Sequence, residues 1–193
     1  MSTPRSAPAH GRTIFMRHWL RDPIGIGALL PSTSGVARAL AAQLQLGRSG
    51  PILELGVGTG TVTSGLIAGG CAPERLILVE SKPELVNHLS AHYPGARVIC
   101  GDATKIDELL GELGVTQLAT VISTLPIKWF NLEQQRATVM PCLKRLGPGG
   151  YFIQITNAPT SPIDHRALRI NASRVDAVWL HFLPVQVWRY WLD

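Results

Sequence analysis

The sequence predicts an α/β protein with a mostly parallel sheet, and three observations carry that prediction. Short apolar runs alternate with segments of helical spacing along most of the 193 residues, the pattern of parallel strands joined by crossover helices. The first run, Ile52-Leu53-Glu54-Leu55, breaks into Gly56-Val57-Gly58-Thr59-Gly60 and then into helical spacing over Thr61–Ala68. A strand, a glycine turn and a helix in that order direct backbone N–H groups and a helix N-terminus towards a polar ligand. The next run, Leu76-Ile77-Leu78-Val79, ends in Glu80. It follows the turn by about 20 residues, the place where nucleotide-binding βαβ units grip a ribose diol.

Taken in order, Met1–Gly11 is rich in Pro, Ser and Ala and is expected to be a loose tail. Arg12–Arg21 reads as a short amphipathic helix stopped by Asp22-Pro23. Ile14, Phe15, Met16, Trp19 and Leu20 fall on one side, and Arg12, Arg17, His18 and Arg21 on the other. Such a helix either caps the core or lies in a membrane interface, and as a lid it does both. The expected division is therefore 1–30 for the tail and helix and 31–193 for the α/β domain. Ile24–Gly35 is punctuated by Gly and Pro, and Ser32 or Thr33 is placed to cap a helix running to about Leu46. Gly47–Gly50 turns into the first strand.

After Glu80, Ser81–His92 reads as a helix and Arg97–Cys100 as a third strand, ending in Gly101-Asp102-Ala103. An acid at that strand tip is placed to reach an adenine amino group; a plain Gly-Asp turn is the alternative. Thr104–Leu113 is helical in pattern and Ala119–Ser123 is a fourth strand, followed by Thr124-Leu125-Pro126. Leu132–Leu146 is the next helix, stopped by Gly147-Pro148-Gly149-Gly150, and Tyr151–Ile155 is the fifth strand. Pro159–Asn171 is irregular or weakly helical. Val175–Leu180 and Val187–Leu192 are two last strands joined by a turn near Pro184. With no helix between them, they predict an antiparallel edge.

Composition narrows the class. Hydrophobic residues make up 46% of the chain and mean hydropathy is +0.16. No run approaches the ~18 uninterrupted apolar residues of a spanning helix, and the N-terminus shows no signal-peptide apolar region. Cys71, Cys100 and Cys142 form no metal or redox spacing, so no metal and a reducing cytoplasm are expected. The net charge of +5 sits before the glycine motif: residues 1–50 hold six Arg against Asp22 alone, and the rest of the chain balances twelve basic residues with twelve acidic ones. An anionic partner for the N-terminal segment is the expectation.

The spacing Glu54-x-Gly56-x-Gly58-x-Gly60 departs from the G-x-G-x-x-G of dinucleotide sites. It resembles the first motif of class I S-adenosylmethionine (SAM) methyltransferases. That resemblance implies a Rossmann-like sheet of seven strands, mostly parallel with one antiparallel strand, and helices on both faces, with the N-terminal amphipathic helix added. It implies SAM as cofactor. Glu54, Gly56, Val57, Gly58, Thr59 and Gly60 would pass under its methionine part. Glu80 and Ser81 would take its ribose hydroxyls, and Asp102 and Ala103 would border its adenine. Ser123-Thr124-Leu125-Pro126 is similar to the N-[ILP]-P-[FY] motif of amino-group methyltransferases. Ser123 stands in the Asn position, and the Leu125 carbonyl is the implied backbone acceptor for the amine.

Ser123-x-Leu125-Pro126, together with Pro31-Ser32-Thr33-Ser34 ahead of the glycine motif, resembles the bacterial phospholipid N-methyltransferases. These methylate phosphatidylethanolamine up to its trimethylated form. Asp22-Pro23, Gly27-Ala28, Gly101-Asp102-Ala103, Pro184 and Val187-Trp188-Arg189-Tyr190 extend the likeness along nearly the whole chain. Two segments depart from that family: Thr124 stands where Gly is usual, and His181-Phe182-Leu183-Pro184-Val185 replaces N-x-P-P-A. The resemblance implies an amine-bearing phospholipid as acceptor, phosphatidylethanolamine first, with ornithine lipids also eligible. It implies peripheral attachment to the inner face of the cytoplasmic membrane, an anionic surface met by the N-terminal helix, and no nucleic acid. Arg17, Trp19, Arg21 and Lys128 are candidate contacts for the lipid, and Trp129 and Phe130 for a methylated ammonium through their ring faces, with core packing as the alternative for these two aromatics. Two other readings stand beside this one: an rRNA adenine methyltransferase-like enzyme, which the pI of 9.5 permits, and a non-catalytic SAM-binding or lipid-binding module.

Overall fold

The structure, a computed structural model, describes residues 34–180 and 183–193. The helix expected at Arg12–Arg21, with Arg17, Trp19 and Arg21, lies outside the described residues, as do Ser32 and Thr33. Along the chain run α1 (Ser34–Ala41), β1 (Ile52–Leu55), α2 (Thr61–Ala68), β2 (Leu76–Glu80), α3 (Pro83–His92), β3 (Arg97–Cys100), α4 (Ile106–Glu112), β4 (Thr120–Ser123), α5 (Leu132–Leu146), β5 (Phe152–Thr156), α6 (His165–Leu168), β6 (Asn171–Leu180) and β7 (Leu183–Trp191). Short 3-10 turns at Pro73–Arg75, Ala103–Lys105 and Ile127–Trp129 lead into β2, α4 and α5.

The strands form one sheet in the order β3-β2-β1-β4-β5-β7-β6. β1 to β5 are parallel, and β7 runs antiparallel to both of its neighbours. β1, β2, β4 and β5 are buried along their whole length. This explains why they read as unbroken apolar runs rather than as alternation.

The end of the sheet has the expected antiparallel pairing, with β7 as the one antiparallel strand. β6 takes the edge and runs with the parallel set, while the hairpin returns β7 into the place beside β5. Both strands are also longer than their apolar cores. β6 starts at Asn171 and β7 at Leu183, because main-chain pairing extends the ladder through residues without apolar alternation. α1 ends at Ala41 rather than near Leu46. The chain tightens there, with the Gln43 and Leu44 N–H groups donating to Leu40 and Ala41. Arg75 then fixes the entry into β1 by donating to the carbonyls of Leu46, Arg48 and Gly50 at 2.7, 2.6 and 3.0 Å.

Register assigns the two faces. Leu55, Ser123, Gln154 and Trp188 are partners across β1, β4, β5 and β7 and share one face. Glu54 and Arg189 belong to the other. On the Glu54 face lie α1 and α2: Thr63 of α2 bonds Glu54, and Gln43, just past α1, accepts from Arg189 at 2.6 Å. On the Gln154 face lies the start of α5. Its Gln135 donates to the Ile127 and Phe130 carbonyls and accepts from the Asp164 N–H. Nearby, Ser161 bonds the buried Tyr190 hydroxyl at 2.7 Å.

α5 begins with a reciprocal cap between Asn131 and Gln134 and ends at Gly147, whose φ of 62° favours glycine. It buries Val139, Cys142, Leu143 and Leu146. Truncating Leu143 to Ala would cost about 2–5 kcal/mol.

Candidate functional site

The glycine turn leaves β1 at the carboxyl edge of the sheet, where ligands bind in open α/β sheets. Gly56, Gly58 and Gly60 have φ of 75°, 61° and 85°, so three successive alternate positions require the left-handed region. The N–H groups of all three are spent inside the protein, on the Val79 carbonyl, the Glu80 carboxylate and the Val57 carbonyl. These three donors therefore serve to hold the turn itself. What the turn presents is space: a Cβ at Gly58 would meet nothing within 4 Å.

Glu80 ends β2 and is 7% exposed. Its Oε2 accepts from the Gly58 N–H at 2.9 Å. Its Oε1 accepts from the Ser81 and Lys82 N–H groups and the Ser81 hydroxyl. The carboxylate is thus aimed by three backbone donors, and Oε2 keeps a lone pair for a hydroxyl. Tyr93, at the end of α3, donates to the Gly60 carbonyl at 2.9 Å and pairs with the Ser64 hydroxyl at 2.6 Å. The turn is therefore held from α3 as well as from β2.

Beneath the turn, Glu54 is fully buried. Its Oε2 accepts from the Thr63 hydroxyl at 2.8 Å, while Oε1 is buried with no hydrogen-bond partner. Burial pushes its pKa up to about 8, the Thr63 hydrogen bond opposes this, and the charge of Glu80 adds to it. A buried carboxylate oxygen without a partner calls for a cation or a donor beside it.

Asp102, at the tip of β3, caps the 3-10 turn: its Oδ1 accepts from the Thr104 N–H and hydroxyl at 2.8 and 2.9 Å. Ala103 is buried behind it. At the tip of β4, Ser123 is fully buried and its hydroxyl accepts from the Leu125 N–H at 3.4 Å. The Leu125 carbonyl accepts from the Gln154 carboxamide at 2.9 Å and from the Ile127 N–H at 2.8 Å. Its two lone pairs are both engaged here.

The β4 turn and the glycine turn are stitched together. Thr124 donates from its N–H to the Leu55 carbonyl and from its hydroxyl to the Gly56 carbonyl. The Leu125 side chain covers Gly56 so closely that a Cβ there would lie 2.7 Å from Leu125 Cδ2. Thr124 is one of the positions at which the sequence departs from the phospholipid methyltransferase pattern, and its hydroxyl has a use in joining the two turns. Lys128 and Trp129 follow on the outside, with Lys128 Nζ 5.6 Å from the Trp129 ring centroid. A cleft of about 860 Å³ between α1 and α2 reaches Thr59 and Gly60 but is not lined by Glu80, Asp102 or Ser123.

The fold is similar to that of a Burkholderia thailandensis 1,6-didemethyltoxoflavin-N1-methyltransferase, solved with bound 1,6-didemethyltoxoflavin and S-adenosylhomocysteine. The TM-score is 0.68 at 15% identity, covering 100% of this chain and 94% of that one. The fold is that of the class I SAM-dependent methyltransferases. No family profile matches the sequence. Among curated proteins, an ornithine lipid N-methyltransferase of Singulisphaera acidiphila is 29% identical over 76% of this chain and 78% of its own length. A ribosomal RNA small subunit methyltransferase A of Maridesulfovibrio salexigens is 35% identical over 47% of this chain and 33% of its own length.

SAM is the cofactor of this fold, and the residues present fit it. Gly58 leaves open the space that any Cβ would begin to fill, Glu80 offers an aimed carboxylate to a diol, and the unpartnered Glu54 oxygen matches an ammonium such as that of a methionine moiety. Among the sequence-predicted residues, Glu54 to Gly60, Glu80, Ser81, Ser123 and Leu125 are linked directly or through one neighbour. Asp102 and Ala103 lie at the tip of β3, beside β2, and follow Gly101, whose N–H donates to the Glu80 carbonyl at 2.9 Å. Tyr93, Thr63 and Gln154 were not singled out from the sequence. They carry no motif, and only the packing of α2, α3 and β5 brings them to the turns. No helix among the described residues is long and apolar enough to cross a membrane, and no His/Cys/Asp/Glu cluster among them is arranged to hold a metal.

Proposed function

We propose that this chain is a SAM-dependent N-methyltransferase acting on the amine of a membrane lipid headgroup, with phosphatidylethanolamine or an ornithine lipid as acceptor. The observation that carries the reading is the joining of the Ser123–Pro126 turn to the glycine turn through Thr124 and Leu125. The residues that resemble an amine-acceptor motif are thereby joined to the turn expected to hold the cofactor. The likeness to an ornithine lipid N-methyltransferase over most of both chains supports a lipid as the acceptor.

When bound, SAM supplies a methyl carbon whose bond to sulfur breaks, leaving the electron pair on sulfur, as the amine nitrogen forms its new bond. The amine attacks through its lone pair and releases its proton to solvent. Positioning is the larger part of such a displacement. Glu54 and Glu80 would hold the methionine ammonium and the ribose hydroxyls of the cofactor, and Ser123 would supply an acceptor oxygen at the β4 tip. Gln154 fixes the Leu125 carbonyl, and Pro126 removes a competing donor from the turn.

The test is methyl transfer from radiolabelled SAM to mixed liposomes containing phosphatidylethanolamine or ornithine lipid, with small-subunit rRNA in parallel. Label in the lipid fraction supports the proposal. Label in rRNA alone sinks it and favours the second reading, which rests on the likeness to the rRNA methyltransferase. This chain spans about a third of that protein's length.

A further inference from the structure

The hairpin of β6 and β7 outruns the sheet. Thr156 closes β5 opposite Gln186, which pairs with Ala177, so Val178–Leu180 and Leu183–Val185 extend beyond it. At strand rise this is about 10 Å past the carboxyl edge. Trp179 stands on this extension and is 74% exposed. The sequence from Val178 to Val185 holds no glycine, asparagine or aspartate, the residues hairpin ends ordinarily use. Trp179 pairs with Pro184, which shares a face with Gln186, Trp188, Gln154 and Ser123. β4 lies three strand positions from β6, about 14 Å at strand spacing, and the chain leaving it at the same sheet edge through Ser123–Pro126 exposes Trp129 (40%) and Leu132 (43%), with Lys128 beside the Trp129 ring.

From this juxtaposition we infer that Trp179, Trp129, Leu132 and Lys128 form a second membrane-contact surface, which seats the carboxyl edge of the sheet on the lipid–water interface. The exposed Trp179 indole is costly in water and favoured at the headgroup level, and the exposed parts of Trp129 and Leu132 add apolar area to the same interface. Lys128 lays its stem on apolar surface while its ammonium meets anionic headgroups. Glu133 adjoins Leu132, so the attraction is led by the indoles and oriented by Lys128. The mouth of the candidate site then faces the bilayer, and a headgroup amine reaches the β4 turn without its lipid leaving the membrane. The inference rests on the lipid reading above and adds a surface other than the expected N-terminal helix.

The test uses the full chain and vesicles of phosphatidylcholine, with and without phosphatidylglycerol, carrying brominated acyl chains that quench tryptophan. Trp179→Phe should remove a measurable part of the quenching. Trp179→Gln should weaken vesicle partition about tenfold, as expected for loss of part of one aromatic burial. Its rate on a short-chain, monomeric phosphatidylethanolamine should be that of the wild type. Unchanged quenching and partition, or no vesicle binding by the wild type, would overturn the inference. Unchanged vesicle binding with a shift in sedimentation would assign the surface to a second copy of the chain and overturn it equally. If the wild type methylates no lipid, soluble or bilayer, the lipid reading fails, while the quenching and partition results still decide the surface.

Discussion

The Gln154 carboxamide donates to the Leu125 carbonyl at 2.9 Å, across the gap between β5 and the β4 turn. Gln154 is fully buried, and its Oε1 has no partner. A buried glutamine with one half satisfied costs stability unless the other half is used. The bond holds the carbonyl of the acceptor-rich turn in place and takes one of its lone pairs. Gln154→Met keeps the volume and removes the bond. Stability should fall by about 1–2 kcal/mol, read from urea denaturation, and the methyl-transfer rate should fall while SAM affinity stays near that of the wild type. A matching loss of SAM affinity would show that Gln154 supports the cofactor turn instead.

Glu54 gives the site a pH dependence. Its carboxyl is pushed up to about 8 from an ordinary 4.5, chiefly by burial. A carboxyl that binds its proton more tightly when folded contributes stability that is fully present below about pH 4.5. That contribution is lost as pH rises towards 8, because the unfolded chain ionises first. The unliganded protein should therefore lose stability steadily across that window and level off above it. SAM binding has the opposite trend if its ammonium meets Glu54, because the pair needs the carboxylate. Affinity should rise with pH up to about 8, with release of a proton. Glu54→Gln should flatten both profiles in calorimetry. A pH-independent wild type would show that Glu54 is not the ammonium partner.

Much of this organisation was legible in the residues. The glycine turn and Glu80 were readable because fully buried parallel strands leave unbroken apolar runs, and glycines at positive φ leave a spacing. The β6–β7 region was less so. Asn171–Arg174 carries no alternation, since main-chain pairing at the sheet edge asks little of the side chains. The place of β7 between β5 and β6 has no local signal, because strand order is a tertiary choice. Thr124 appeared only as a departure from a pattern, and its bond to Gly56 emerges when β4 is set beside β1. Gln154 and Tyr93 act on turns 29 and 33 residues away in sequence, a separation that periodicity does not report.

Tyr93 is expected to matter for SAM binding without touching the chemistry. Its hydroxyl holds the Gly60 carbonyl and the Ser64 hydroxyl, and its ring fills the space above Gly60, where a Cβ would lie 2.8 Å away. Tyr93→Phe keeps the ring and removes the hydrogen bonds. It should cost about 1 kcal/mol in stability and weaken SAM binding severalfold through a looser turn. The maximal rate at saturating SAM should be nearly unchanged. A fall in that rate with unaltered SAM affinity would remove Tyr93 from the cofactor turn's support.

The three glycines should separate by what surrounds them. Gly56→Ala faces both a left-handed φ of 75° and a contact of 2.7 Å with Leu125 Cδ2. Strain of about 1–2 kcal/mol would be joined by about 1–3 kcal/mol of overpacking, and the β4 turn would be displaced with it. Gly58→Ala meets nothing within 4 Å, so only the conformational cost applies to the free protein. Its methyl group would instead enter the space the turn leaves for a ligand. Gly56→Ala should therefore be the more destabilised variant by thermal denaturation. Gly58→Ala should show the larger loss of SAM affinity relative to its loss of stability. If Gly58→Ala binds SAM as the wild type does, the open side of the turn is not where the cofactor lies.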